Sequence, residues 1–119
     1  MASDDFIKRV GLLSEDYFLY YEEMDWVMRA RRLFLISYAP KSIVYHKEGA
    51  TIGSNADPMK KSTLSDYYAL KNRLVFSKKY FMRYTPIVYL GLIISLINRV
   101  RRKQWARAKM ITSIIFTGK

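Results

Sequence analysis

The pattern of apolar and polar positions predicts short elements before residue 50 and longer helices after residue 62. Phe6–Val10 fits a short helical turn that Gly11 ends, because glycine interrupts helical patterns. The aromatic run from Phe18 to Tyr21 is brief, and we expect it to be extended. A helix is then predicted from about Glu22 to Leu33, where apolar and charged residues alternate with helical spacing.

A short two-strand element is predicted next. Leu35–Tyr38 and Ser42–Tyr45 are brief runs containing β-branched and aromatic residues, and Pro40 between them cannot occupy a central strand. The stretch 49–60 combines glycine, proline and small polar residues, so it is expected to be a loop. The predicted fold class is therefore α+β but mainly helical, with residues 1–50 as one segment and 51–62 as a loop.

Three basic amphipathic helices are predicted to follow, in residues 63–119. Thr63 and Asp66 form a Thr-x-x-Asp capping signal for a helix that should reach about Tyr80. Thr85–Pro86 begins the second helix, because proline suits a first helical turn. The third is expected over roughly 101–116.

The charge is unevenly distributed. The chain has 119 residues and a formal net charge of +11, yet residues 1–50 hold eight acids and seven bases. Residues 51–119 hold two acids and fourteen bases, and no acid follows Asp66. The second half is therefore suited to a negatively charged partner. The absence of cysteine excludes a disulfide scaffold and a thiolate metal site.

Two interpretations of the basic half stay open. Residues 84–97 are 14 uncharged residues, too few for a bilayer, which takes about 20. Basic side chains beside apolar ones and a tryptophan are typical of a helix lying on an anionic membrane. An ordinary packed helical hairpin explains the same pattern, whereas nucleic acid is disfavoured because no recognised motif is present. The candidate membrane-binding residues are Arg99, Arg101, Arg102, Lys103, Trp105, Arg107 and Lys109.

Three acids gather at the start of the predicted Glu22–Leu33 helix. Asp25 lies four residues before Arg29, the favourable order for an ion pair on a helix. Glu23 shares a side with Val27, and burial there would raise the pKa of its carboxyl and make it a better proton acceptor near neutral pH. The alternative is that Glu22, Glu23 and Asp25 simply stabilise the helix dipole.

This region also resembles a known family. YFLYYEEMDWVMRARR followed by APKSIVYHKEGA resembles the carboxy-terminal part of family-2 glycosyltransferases, especially bacterial rhamnosyltransferase-like enzymes. The similarity covers about Gly11–Ala50 and is looser to Tyr80. It implies that Glu23, at the second acid of the family's E-D pair, is the general base. It implies supporting roles for Asp25, through Arg29, and for Glu22, towards substrate or a backbone amide.

The resemblance also implies a cofactor and substrates. His46 would be a third ligand for Mg²⁺ or Mn²⁺, although a lone histidine is more often structural. The family's D-x-D motif and nucleotide-binding half are missing, so we expect a partial GT-A-type fold that is inactive alone and binds no metal by itself. An intact enzyme would use a nucleotide sugar and a glycan or lipid-linked acceptor, in the cytoplasm at the inner membrane face.

The alternative function is a non-catalytic module that binds a membrane or a protein partner. Surfaces that would otherwise meet a nucleotide-binding half should make the chain self-associate into a homo-oligomer, because large exposed apolar patches are rare.

Overall fold

A computed structural model describes residues 3–37, 40–43, 45 and 62–118 of the chain. Within these ranges the regular structure is helical throughout. Five α-helices occur in the order α1 (Asp4–Val10), α2 (Glu22–Ala30), α3 (Thr63–Tyr80), α4 (Thr85–Arg101) and α5 (Trp105–Thr117), and the 3₁₀ turn Met82–Tyr84 precedes α4.

The predicted two-strand element is wrong for the described residues. Residues 35–37, 42, 43 and 45 form no strand, and the α+β class and the partial GT-A-type fold are overturned with it. Leu35 is fully exposed and Ile43 is 76% exposed, so neither of these side chains is packed against an apolar surface. An isolated strand pair without such packing is marginal in water. The predicted loop over 49–60 lies outside the described residues.

The helices after residue 62 follow the sequence prediction closely. α3 covers Thr63–Tyr80 as expected, although its cap is Ser62, whose hydroxyl accepts a hydrogen bond from the Ser65 amide. α4 begins at Thr85 with Pro86 in its first turn. α5 starts at Trp105, later than predicted, because the backbone turns at Lys103 with a positive φ of 57°.

α3, α4 and α5 pack together as a three-helix bundle. The centre of this bundle is formed by Leu74 from α3, Leu92 from α4, and Ile111 and Ile114 from α5, each at most 2% exposed. Full burial of such a side chain stabilises a fold by about 1.5–3 kcal/mol. The bundle therefore supplies the main apolar core of the described chain.

α1 and α2 form a second, smaller packed unit. The Phe6 and Trp26 rings meet edge to face with centroids 4.9 Å apart. The Trp26 indole donates a hydrogen bond to the Gly11 carbonyl at 2.8 Å, just beyond the end of α1. Gly11 has a φ of 82°, a conformation that glycine adopts without steric cost. This arrangement fixes the orientation of α2 and of its acidic first turn.

Membrane crossing can be addressed for the same residues. No helix among those described combines the length and the apolar character that a bilayer span requires.

Candidate functional site

The acidic motif follows a backbone bend that is held against α3. Tyr20 and Tyr21 both have left-handed φ angles, 66° and 74°, which non-glycine residues seldom adopt. The expected extended conformation is therefore wrong at these two residues. The Asn72 amide, which is buried in α3, donates hydrogen bonds to the carbonyls of Leu19 at 2.6 Å and Tyr20 at 3.1 Å. The Tyr20 hydroxyl also lies 2.5 Å from the Ser65 hydroxyl.

Asp25 is the buried acid of the motif. Its side chain is fully inaccessible, and one carboxylate oxygen accepts a hydrogen bond from Arg29 Nε at 2.9 Å. The other oxygen accepts from the Tyr80 hydroxyl at 2.7 Å and lies 2.8 Å from Lys79 Nζ. The predicted ion pair with Arg29 is confirmed, and two groups from the end of α3 complete the surroundings.

The electrostatic balance keeps Asp25 ionised. Burial raises the pKa of its carboxyl, but the hydrogen bonds from Lys79, Tyr80 and Arg29 outweigh that effect and leave the pKa below its ordinary value. The same contact with Asp25 raises the pKa of Lys79, helped by a hydrogen bond to Asp16 at 3.2 Å. Asp25 is thus an ionised, inaccessible carboxylate with both oxygens bonded to protein groups.

The cations around Asp25 extend the network into the first segment. Arg29 donates to the backbone carbonyls of Val10 and Leu12, the latter at 2.6 Å. Lys79 lies 5.8 Å from the centre of the buried Tyr17 ring. Burial raises the pKa of the Tyr17 hydroxyl to about 12, and this hydroxyl has no hydrogen-bond partner among the described residues. One carboxylate therefore joins α2, α3 and the loop between α1 and α2.

Glu23 points away from this network. Its predicted burial on the apolar side of α2 is wrong, because its side chain is exposed. It does share a side with Val27, and together with Met24, Met28, Phe76 and Phe81 these residues line an open apolar pocket between α2 and α3. Glu23 is consequently an accessible carboxylate at the edge of an apolar surface.

Glu22 is intermediate in burial between Asp25 and Glu23. Its side chain is half-buried, and its Oε2 atom is inaccessible without a hydrogen-bond partner among the residues described. An unpaired buried carboxylate oxygen is costly. The predicted contact of Glu22 with a backbone amide is not found for this oxygen.

Two of the predicted membrane-binding residues are engaged inside the bundle. Arg99 lies 3.0 Å from Asp66 and donates to Gln104 Oε1 at 3.0 Å, while Arg107 lies 3.6 Å from Asp66. Their side chains are only 16% and 14% exposed, so both are largely enclosed by the bundle, and their membrane-binding role stays a prediction. The other five candidates, Arg101, Arg102, Lys103, Trp105 and Lys109, are exposed.

The predicted metal ligand cannot be placed. His46 lies outside the described residues. Within the described ranges, no group of three or more histidine, aspartate or glutamate side chains could hold a metal ion. The Mg²⁺ or Mn²⁺ that the resemblance implies for an intact enzyme therefore stays a prediction.

Sequence reasoning missed the α3 half of the site. Lys79 and Tyr80 end a helix beside Lys78, a pattern typical of a solvated terminus, and nothing local connects them to Asp25. Asn72 carried a weak signal, since Tyr67–Tyr68 and Asn72–Arg73 resemble the Tyr-Tyr-x-x-Arg-Asn region of family-2 glycosyltransferases with the order shifted. Its contacts with the tyrosine bend could not be derived from that pattern.

Comparison of the chain with protein-family models, with curated proteins and with solved structures finds no match. The resemblance to glycosyltransferases therefore rests on the acidic motif, its spacing to His46 and the Tyr67–Arg73 stretch.

Proposed function

We propose that the chain is the acceptor-side, carboxy-terminal part of a glycosyltransferase, and that it is inactive alone. The intact enzyme would transfer a sugar from a nucleotide-sugar donor to a polysaccharide or a lipid-linked acceptor. The observation that carries the proposal is the difference in solvent accessibility between two acids of the motif. Asp25 is buried and bonded on both oxygens, whereas Glu23, two residues earlier, is accessible.

Glu23 is the candidate general base. An acceptor hydroxyl must come within hydrogen-bond distance of the carboxylate that takes its proton, so only an exposed acid can serve. Glu23 meets that requirement and Asp25 does not. The apolar pocket beside Glu23, which includes Val27 and Phe81, offers a surface for the carbon face of a sugar or for a lipid chain.

Asp25 is a positioning residue in this proposal. It fixes the first turn of α2 to the end of α3 through Lys79 and Tyr80, and Arg29 ties the same turn to the Val10 and Leu12 carbonyls. Because the first turn of α2 is fixed, the Glu23 carboxylate keeps its orientation relative to the acceptor surface. Holding a catalytic group in a fixed orientation is one source of rate enhancement. The donor-binding half would have to come from sequence beyond the described residues.

The test uses the enzyme encoded by the complete reading frame that contains this chain. Glu23→Gln should lower the rate of labelled-sugar transfer from nucleotide sugar to acceptor by about a hundredfold or more, the loss expected for a general base. Glu15→Gln is the matched control, because Glu15 is an exposed acid outside the motif and its loss should leave turnover unchanged. Near-normal turnover in Glu23→Gln would remove Glu23 from the role of base.

A further inference from the structure

Helix α4 has two apolar faces, and only one of them is buried by the described residues. The inner face carries Leu92, which packs in the bundle core. We call the opposite side of the helix the α4 outer face, and it is formed by Ile87, Leu90, Ile94 and Ile97. These four side chains are between 51% and 66% exposed. These four residues are spaced by three and four positions, so they form one continuous stripe along the helix. From Ile87 to Ile97 the stripe is about 15 Å long, at 1.5 Å per residue.

Basic and aromatic side chains mark both ends of this stripe. Arg101, one helical turn beyond Ile97, is exposed and is followed by the exposed Arg102 and Lys103. Arg83, also exposed, precedes the stripe in the 3₁₀ turn. Two exposed aromatic side chains accompany them, Tyr84 at the start of α4 and Trp105 just after its end. Tyrosine and tryptophan are enriched where a membrane meets water.

We infer that the α4 outer face docks on an anionic membrane surface. The apolar stripe would enter the boundary between headgroups and acyl chains, as amphipathic helices do to a depth of about 5–10 Å. Arg83 at one end and Arg101, Arg102 and Lys103 at the other would meet the anionic headgroups. The inference is independent of the proposed glycosyltransferase function, and the vesicle experiment below tests it separately.

The charge distribution favours lipid over a second copy of α4. Two α4 helices packed through this stripe would bring their basic ends close together, in either relative direction. No acid follows Asp66 in the sequence, so α4 has none with which to pair those charges. Asp66 itself is already paired with Arg99 and Arg107. An anionic surface neutralises the same charges and covers the apolar stripe at once.

The inferred surface is narrower than the basic region 84–116 expected from sequence, because it leaves out the apolar side of α5. α5 has the basic and apolar composition of an interfacial helix, but Ala108, Ile111 and Ile114 on its apolar side are buried in the bundle. Exposing that side to lipid would require the bundle to open. The α4 outer face is available without any change in the fold.

The experiment measures binding of the full chain to vesicles of phosphatidylcholine mixed equally with phosphatidylglycerol, and to vesicles of phosphatidylcholine alone. We expect binding to the anionic vesicles that weakens as NaCl is raised, because charges near a surface are screened over about 10 Å at 0.1 M salt. Replacing Arg101, Arg102 and Lys103 with glutamine should weaken binding roughly a hundredfold, at about fivefold per residue. The control replaces the exposed residues Arg31, Arg32 and Lys41, which removes the same charge elsewhere.

A second pair of variants tests the apolar stripe. Leu90→Asn with Ile94→Asn should weaken binding about tenfold or more, since both half-exposed side chains would lose their burial in lipid. Leu35→Asn with Ile43→Asn, at exposed positions outside α4, should leave binding unchanged. Urea midpoints for all variants verify that the fold is retained.

Three results would overturn the inference. One is the absence of binding to anionic vesicles, and another is equal binding to neutral vesicles with no response to salt. The third is a dimer in sedimentation that Leu90→Asn with Ile94→Asn dissociates while vesicle binding is unaffected, which would assign the stripe to a second copy of the chain.

Discussion

Removing the Asp25 carboxylate should destabilise the protein strongly. Asp25 is fully buried and receives hydrogen bonds from Arg29 and Tyr80 and an ion pair from Lys79. Breaking a buried ion pair by deleting one partner costs about 3–5 kcal/mol. The Lys79 and Arg29 side chains are 38% and 29% exposed, so water can partly solvate them after the change. We therefore expect Asp25→Ala to lower the free energy of unfolding by about 3 kcal/mol.

Urea denaturation followed by circular dichroism measures this change. With an m-value of about 1.5 kcal/mol per M, the expected loss moves the midpoint down by about 2 M. Asp5→Ala is the control, because Asp5 lies 3.8 Å from Arg9 with both side chains at least half exposed. That surface pair should contribute less than about 1 kcal/mol.

A double-mutant cycle isolates the contact with Lys79. Lys79→Met alone should cost less than Asp25→Ala, because its amino group is partly solvated and its aliphatic chain is retained. The two changes together should cost less than their sum, since both remove the same contact. A loss under about 1 kcal/mol for Asp25→Ala, or strict additivity with Lys79→Met, would refute the view that this network holds α2 on α3.

Three further predictions follow from the same region. Asn72→Ala should cost about 2 kcal/mol and speed amide exchange at the start of α2, because it removes two hydrogen bonds to the tyrosine bend. Tyr17→Phe should raise stability by about 1 kcal/mol in urea titrations, since it removes a buried hydroxyl without a described partner. It should also remove a loss of wild-type stability between about pH 10 and 12, because the pKa of Tyr17 is raised to about 12 in the folded state and is about 10 when unfolded. Asp25→Asn should flatten the acid limb of the profile of stability against pH. The lowered pKa of Asp25 gives stability that is present above about pH 4 and is lost as pH falls through the folded-state pKa. Unchanged pH profiles in the Tyr17 and Asp25 variants would contradict both assignments.

The parts of the fold that were predictable from sequence are those set by neighbours along the chain. A polar capping signal predicts the start of α3 at Thr63, and the Thr85–Pro86 pair predicts the start of α4. The Asp25–Arg29 pair was predictable for the same reason, since its two residues lie one helical turn apart. Each of these needs only local geometry.

The errors concern features that depend on distant contacts. Leu35 and Ile43 have strand-like neighbours in sequence, but no surface packs on them, so no strand forms among the described residues. Asp66 forms ion pairs with Arg99 and Arg107, more than thirty residues later, and helical spacing alone did not predict that these two side chains are largely buried. In the same way, the burial of Asp25 depends on Lys79 and Tyr80, more than fifty residues later. Helical spacing within α2 carries no information about α3.

The central claim, that this chain is the acceptor-side part of a glycosyltransferase, is tested most directly by sequencing the reading frame upstream of the segment that encodes it. The proposal predicts a continuous frame with a D-x-D motif after alternating apolar strands, because the family that the chain resembles carries that motif in a nucleotide-binding half that comes earlier in the sequence. A start codon preceded by unrelated sequence, with no such motif in frame, would contradict the claim.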